Sequence, residues 1–87
     1  MFKAYETVMV LNIRVNDIYC DYKGVFIKEM NRGSKKGLFE VEVNSCKLHL
    51  PLEKLINYEE YFKLFNSDKT KLPELAAKKL FFMDGAK

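Results

Sequence analysis

The apolar positions of this chain change period near Pro51. Before it they alternate with polar ones, as in strands that bury one face. After it they recur at spacings of three and four, as in helices. From Thr7 to Val15, Met9, Leu11, Ile13 and Val15 alternate with Val10, Asn12 and Arg14, which predicts a strand whose first set faces the core. Val8 and Val10 make the front half apolar on both faces, so that half is expected in the centre of the sheet or under a helix. Asn16-Asp17 supplies turn chemistry, since both side chains bond local backbone.

From Ile18 to Met30 the pattern supports two readings. One is a single long strand, bulged near Gly24 with that glycine at positive φ. The other is a loop ahead of a shorter strand around Val25-Phe26-Ile27. The alternation of Ile18, Cys20 and Tyr22 favours the bulged strand. Asn31 to Gly37 has two glycines and no apolar residue, which marks an exposed loop. Leu38 to Val43 is the cleanest strand, with Phe39, Val41 and Val43 inward and Glu40 and Glu42 outward. Asn44-Ser45 reads as a tight turn. Cys46, Leu48 and Leu50 then point in and Lys47 and His49 out, setting Glu40 or Glu42 across from Lys47 or His49.

Pro51 suits the first turn of a helix, and Leu52, Leu55, Ile56, Tyr61, Phe62 and Phe65 follow at helical spacing. This predicts a helix over about 51–65, with Tyr58, Tyr61, Phe62 and Phe65 in the core. Pro73 opens a second, over about 73–84, with Leu75, Ala76, Leu80, Phe81 and Met83 as its apolar positions and Gly85 as its stop. The expected fold is a single α+β domain over residues 1–87. It has a small antiparallel sheet or curled small barrel of three to four strands over about residues 7–50, followed by the two helices. The bulged meander closed by a turn and helix resembles the small five-stranded barrels of the Src-homology and Tudor type. The resemblance spans about residues 5–55, rests on strand spacing alone and brings no functional residue with it.

Composition narrows the class. At 87 residues, 48% hydrophobic and 31% charged, the chain is expected to be one soluble globular domain. It has no apolar run of the ~20 residues a membrane span needs. Glu6 and Asn12 interrupt any secretory leader, so a cytoplasmic setting is expected. The net charge of +3 comes from a basic set dominated by Lys, with Arg14 and Arg32 the only arginines. Lysine brings a mobile point charge rather than the forked contact that reads bases and clamps phosphate, so the charge argues only weakly for a polyanion partner.

Candidate chemistry is sparse. Cys20 and Cys46 form no C-x-x-C pair and His49 is the only histidine, too few ligands for a zinc site, so two buried free thiols and no metal are expected. Cys46 and His49, three apart in a strand, face opposite ways and make no dyad. Cys20 with His49 has nothing to support it, and Glu40 and Glu42 read as polar surface. No phosphate-binding loop, dinucleotide fingerprint, nucleophile elbow or helical zinc motif occurs. The expectation is therefore no enzyme and no cofactor.

Two binding readings follow. The first is a small regulatory protein that acts through protein–protein contact, as an adaptor or inhibitor, with homo-oligomerisation open. Tyr19, which points away from the Cys20 face, and Phe82, in surplus to its helix's own apolar stripe, are its contact residues. The alternative is a nucleic-acid-binding small β-barrel module. It would use the loop residues Arg32, Lys35 and Lys36 and the more distal Lys69, Lys71, Lys78 and Lys79, if both groups share a face.

Overall fold

The computed structural model describes residues 2–15 and 17–81, and the side chains of Val15 and Phe81 lie outside that description. Five antiparallel strands, β1 (Thr7–Val15), β2 (Ile18–Glu29), β3 (Phe39–Val43), β4 (Cys46–Leu50) and β5 (Leu55–Asn57), form one sheet in the order β4-β3-β2-β1-β5. A single α-helix, α1 (Tyr58–Ser67), follows, and a two-residue strand, β6 (Leu80–Phe81), adds in parallel to β2. The class is α+β, with more strands and fewer helices than the periodicity predicts.

The interior of β1 fixes the layout. Val8, Met9, Val10 and Leu11 have no exposed surface. Val8 and Val10 join Cys20, Tyr22, Phe26, Phe39, Val41, Val43 and Leu55 in one core, against which Phe2, Ile13, Leu48 and Leu50 pack. Met9 and Leu11 join Tyr61, Leu72 and Ala76 in a second core on the other face, beneath α1 and the chain that follows it. Burying each such Val, Leu or Met is worth about 1.5–3 kcal/mol, so this tetrapeptide anchors both layers. The first core draws side chains from all five antiparallel strands. Among the described residues, no ladder joins the sheet edges β4 and β5.

A bulge in β1 corrects the expected facing. Between the pairs Val10↔Tyr22 and Ile13↔Cys20, β1 uses one residue more than β2. Asn12 sits there at φ 52°, a left-handed conformation that asparagine tolerates. Because side chains alternate strictly along a strand, the extra residue turns Ile13 to the opposite face from Met9 and Leu11. Neither backbone group of Asn12 is left bare: its N–H donates to Asp21 Oδ1 at 2.9 Å, and its carbonyl accepts from Lys54 Nζ at 3.0 Å. A second irregularity, between Phe26 and Lys28, bends β2 where it meets β3.

Gly24 is not at a left-handed position. A Cβ there would stand 2.9 Å from Val43 Cγ2 and 3.0 Å from the Glu42 carbonyl oxygen, so glycine is needed for close approach to β3. Among the described residues, the left-handed glycines are Gly33 and Gly37, in the exposed loop. The Asn44-Ser45 turn has both residues at positive φ, 52° and 67°, the mirror-image form that matches strand twist.

The expected helix over 51–65 begins late. Pro51 starts only a single 3-10 turn, Leu52–Lys54, and Leu55–Asn57 then pairs with Val8–Val10 as β5. Leu55 and Ile56 enter opposite cores, which is the two-residue period of a strand. Asn57 then caps α1 by accepting from the Glu60 N–H at 3.0 Å. Tyr58, Phe62, Leu64 and Phe65 pack around buried Tyr61 as expected, with the Tyr61 and Phe65 rings stacked at 5.7 Å. The β1–β4 meander is followed by the 3-10 turn Leu52–Lys54. The closing element is a fifth strand ahead of the helix.

The second helix, expected over 73–84, does not form in the described residues. After one turn closed by Ala76 N–H to the Pro73 carbonyl, the chain leaves helical geometry. The N–H groups of Ala77 and Lys78 go to the Asp21 carboxylate instead of to their own carbonyls, Lys78 takes φ 62°, and Leu80–Phe81 becomes β6. A buried acceptor here outweighs helix propensity, which is a weak preference. Residues 82–84 lie outside the described residues.

Candidate functional site

The strand register determines which residues face solvent, and the Asp17 end of the β1–β2 hairpin carries two adjacent exposed apolar residues. Ile18 and Tyr19 are each 56% exposed. They pair with Val15 and Arg14 across the ladder, and the Arg14 guanidinium forms an ion pair with Asp17 beside them. Tyr19 therefore stands where the sequence sets it, away from the Cys20 face. Phe82, the other expected contact residue, lies outside the described residues.

Arg32, Lys35 and Lys36 are exposed in the loop that carries the 3-10 turn Gly33–Lys35. Lys69 and Lys71 are exposed on the 3-10 turn Lys69–Lys71, and Lys78 and Lys79 lie on the segment that meets Asp21. Asp21 and Glu29, where the loop departs, are separated by eight residues of β2, about 26 Å of strand at ~3.3 Å per residue. The fold thus sets the two basic groups toward opposite ends of β2. Several lysines also have partners within the chain. Lys69 Nζ sits 4.1 Å from the centre of the Phe65 ring, and Lys35 Nζ lies 3.1 Å from His49 Nδ1.

That last contact belongs to a polar chain on the face of β3 and β4 turned away from the first core, where Glu40, expected as polar surface, is buried. Glu40 and His49 are ladder partners, as are Glu42 and Lys47, which matches the expected pairing. Glu40 Oε1 lies 3.4 Å from His49 Nε2, and Oε2 lies 3.8 Å from Lys47 Nζ. An ammonium can only donate, so Nδ1 is the accepting nitrogen and Nε2 carries the proton toward Glu40. The chain Lys35–His49–Glu40–Lys47 ties the loop to β4. Cys20 is buried in the first core, on the other side of the sheet from this chain, so neither thiol forms a dyad with His49. Cys46, expected to be buried, is exposed at the start of β4 beside the turn.

The sequence reading passes over Asp21. It is fully buried and accepts four hydrogen bonds: from Asn12 N–H at 2.9 Å and Ala77 N–H at 2.7 Å on Oδ1, and from Lys78 N–H at 2.8 Å and the Tyr61 hydroxyl on Oδ2. Its own N–H donates to the Lys79 carbonyl at 2.6 Å. Burial, then the Asp21 hydrogen bond and charge, hold the Tyr61 phenol far above the ordinary tyrosine range. With every oxygen occupied, this centre organises structure and offers no open position for a substrate. Its signal in the sequence is an aspartate between Cys20 and Tyr22 in a strand apolar on its other face.

Among the described residues, no group of three or more His, Cys, Asp or Glu is placed to hold a metal ion, and no helix is long and apolar enough to cross a membrane. The chain matches no protein-family profile, no curated protein and no solved structure.

Proposed function

We propose that this chain is a small non-catalytic regulatory protein that works in the cytoplasm through contact with another protein, as an adaptor or an inhibitor. The observation that supports this reading is the pairing of Ile18 and Tyr19, adjacent and each 56% exposed at one end of the sheet. Tyrosine is enriched among residues that dominate binding energy, because it brings large area with few rotatable bonds and a polar tip. The Arg14–Asp17 pair beside it provides a charged rim. A phosphate-tracking surface is less well supported. It needs cations along one groove, whereas these lie in two groups and two of them, Lys35 and Lys69, are engaged within the chain.

Capture from lysate of the source organism by the tagged chain, with and without nuclease, tests the reading. A protein that stays bound after nuclease, and whose retention changes little with salt, is the expected result. Recovery of nucleic acid, with retention falling steeply as salt rises, would overturn it.

A further inference from the structure

Leu52 is 47% exposed, and Tyr5, next to Glu6 in sequence, is 75% exposed. A groove lies where β1 and β5 part company. Val8↔Asn57 is the last pair of their ladder, and the next residue on the β5 side, Tyr58, already belongs to α1. One half of the groove is lined by Phe2, Glu6, Leu52 and Asn57, the other by Glu6, Thr7, Asn57, Tyr58 and Glu59. The halves share Glu6 and Asn57, whose side chains are joined by a 2.8 Å hydrogen bond from Asn57 Nδ2 to Glu6 Oε2. The floor is therefore fixed, with an apolar wall to one side and an acidic, aromatic wall to the other.

Charge is the second element. In a chain of net charge +3, this groove carries Glu6 and Glu59, with Glu60 next to Glu59 and Glu53 next to Leu52 in sequence. Glu6 accepts from the Lys3 N–H at 2.8 Å and from Asn57, which uses about half of a carboxylate's accepting capacity. Those two hydrogen bonds hold its carboxyl below the usual range, so it stays ionised at neutral pH. Of the nearby cations, Lys54 is turned away to the Asn12 carbonyl, and the charge of Lys3 adds a smaller downward pull on the Glu6 carboxyl. Lys23 Nζ lies 5.4 Å from the centre of the Tyr58 ring, so one face of that aromatic wall already receives an ammonium.

We infer that this groove takes an extended segment of a partner protein in which an aliphatic side chain, seated on Phe2 and Leu52, adjoins a lysine or arginine directed at Glu6 and Glu59. The inference rests on the protein-contact reading and adds a second surface with its own chemistry. An apolar pocket sets affinity and the carboxylates set the sign of the charge accepted.

The test is a titration of the isotopically labelled full chain, followed by amide chemical shifts, with a short synthetic peptide of alternating leucine and lysine. Its leucine–glutamate counterpart is the control. The expected result is saturable shifts at Glu6, Asn57 and Glu59 with the basic peptide and none with the acidic one. The variant combining Leu52→Ser with Glu59→Lys should bind about tenfold more weakly. Both residues are exposed, so its spectrum elsewhere should be unchanged. No saturable shift, an equal response to both peptides, shifts confined to Ile18–Tyr19 or the 31–37 loop, or undiminished binding by the double variant would each overturn the groove assignment. A partner captured through Ile18 and Tyr19 would leave the protein-contact reading standing in every one of those cases.

Discussion

The phenol of Tyr61 donates to Oδ2 of Asp21, and neither residue has any exposed surface. This contact joins α1 to β2 through the second core. The same carboxylate gathers the β1 bulge through Asn12 and the segment leading to β6 through Ala77 and Lys78. Three parts of the chain far apart in sequence, the β1–β2 hairpin, α1 and the segment before β6, thus meet at one buried carboxylate whose oxygens accept from N–H and O–H dipoles.

Asp21→Asn keeps the shape but replaces one accepting oxygen with an NH2 group that faces donors. The expected cost is about 3 kcal/mol, because buried N–H groups lose their acceptor. Chemical denaturation measures it, and hydrogen exchange should show Ala77 and Lys78 losing protection first. Tyr61→Phe removes one donor only and should cost about 1–2 kcal/mol. Equal stability of wild type and Asp21→Asn would show that the junction does not hold the fold together.

The Tyr61 phenol sets an alkaline limit. Burial and the Asp21 charge raise its folded-state pKa above the unfolded value near 10. A group raised in this way contributes stability that is complete below the unfolded value and drains away as pH rises toward the folded one. Tyr22, raised chiefly by burial, acts in the same direction. The expected outcome is that unfolding above about pH 10 brings the last phenolate absorbance with it. Full ionisation of all five tyrosines with the circular dichroism intact would contradict this.

The two thiols should react at very different rates. Cys46 is exposed, whereas Cys20 is buried and its pKa is raised by burial and then by the Asp21 charge. A disulfide reagent should modify Cys46 at once and Cys20 only on unfolding. Rapid loss of both thiols from the native protein would contradict the placement of Cys20.

Gly24→Ala should destabilise by about 1–3 kcal/mol, the cost of overpacking. Its new methyl would meet Val43 Cγ2 at 2.9 Å and the Glu42 carbonyl at 3.0 Å. Thermal melting tests this. The added methyl should cost less when introduced into a Val43→Ala background than into the wild type, because the nearest clash is then gone.

The alternating strands were legible because one-sided burial writes a two-residue period directly into the sequence. Phe39–Val43, the Asn44-Ser45 turn and the Glu40–His49 and Glu42–Lys47 pairings follow from it, as does the two-faced burial of Val8 to Leu11. Leu55-Ile56 was not legible as a strand. A buried adjacent pair fits a helix's three-and-four spacing from Leu52 and equally the two faces of a strand, and only the open edge of β1 decides between them. The segment after Pro73 carries a helical pattern, but Asp21, more than fifty residues upstream, takes its N–H groups. At the bulge that moves Ile13 to the other face, the Asn12 N–H goes to the same carboxylate, nine residues on. Of the candidate site, Tyr19 was readable from strand parity. The groove around Glu6 and Asn57 was not, since it exists only because β1 and β5 diverge there.

The most direct test of the protein-contact reading is nuclease-treated capture from lysate by the wild-type chain and by an Ile18→Ser, Tyr19→Ser variant, compared side by side. Both positions are exposed, so the variant should melt at the wild-type temperature. The account predicts a protein partner retained by the wild type and lost by the variant. Equal capture by the two, or capture that vanishes with nuclease and with Arg32, Lys35 and Lys36 changed to Glu, would contradict it.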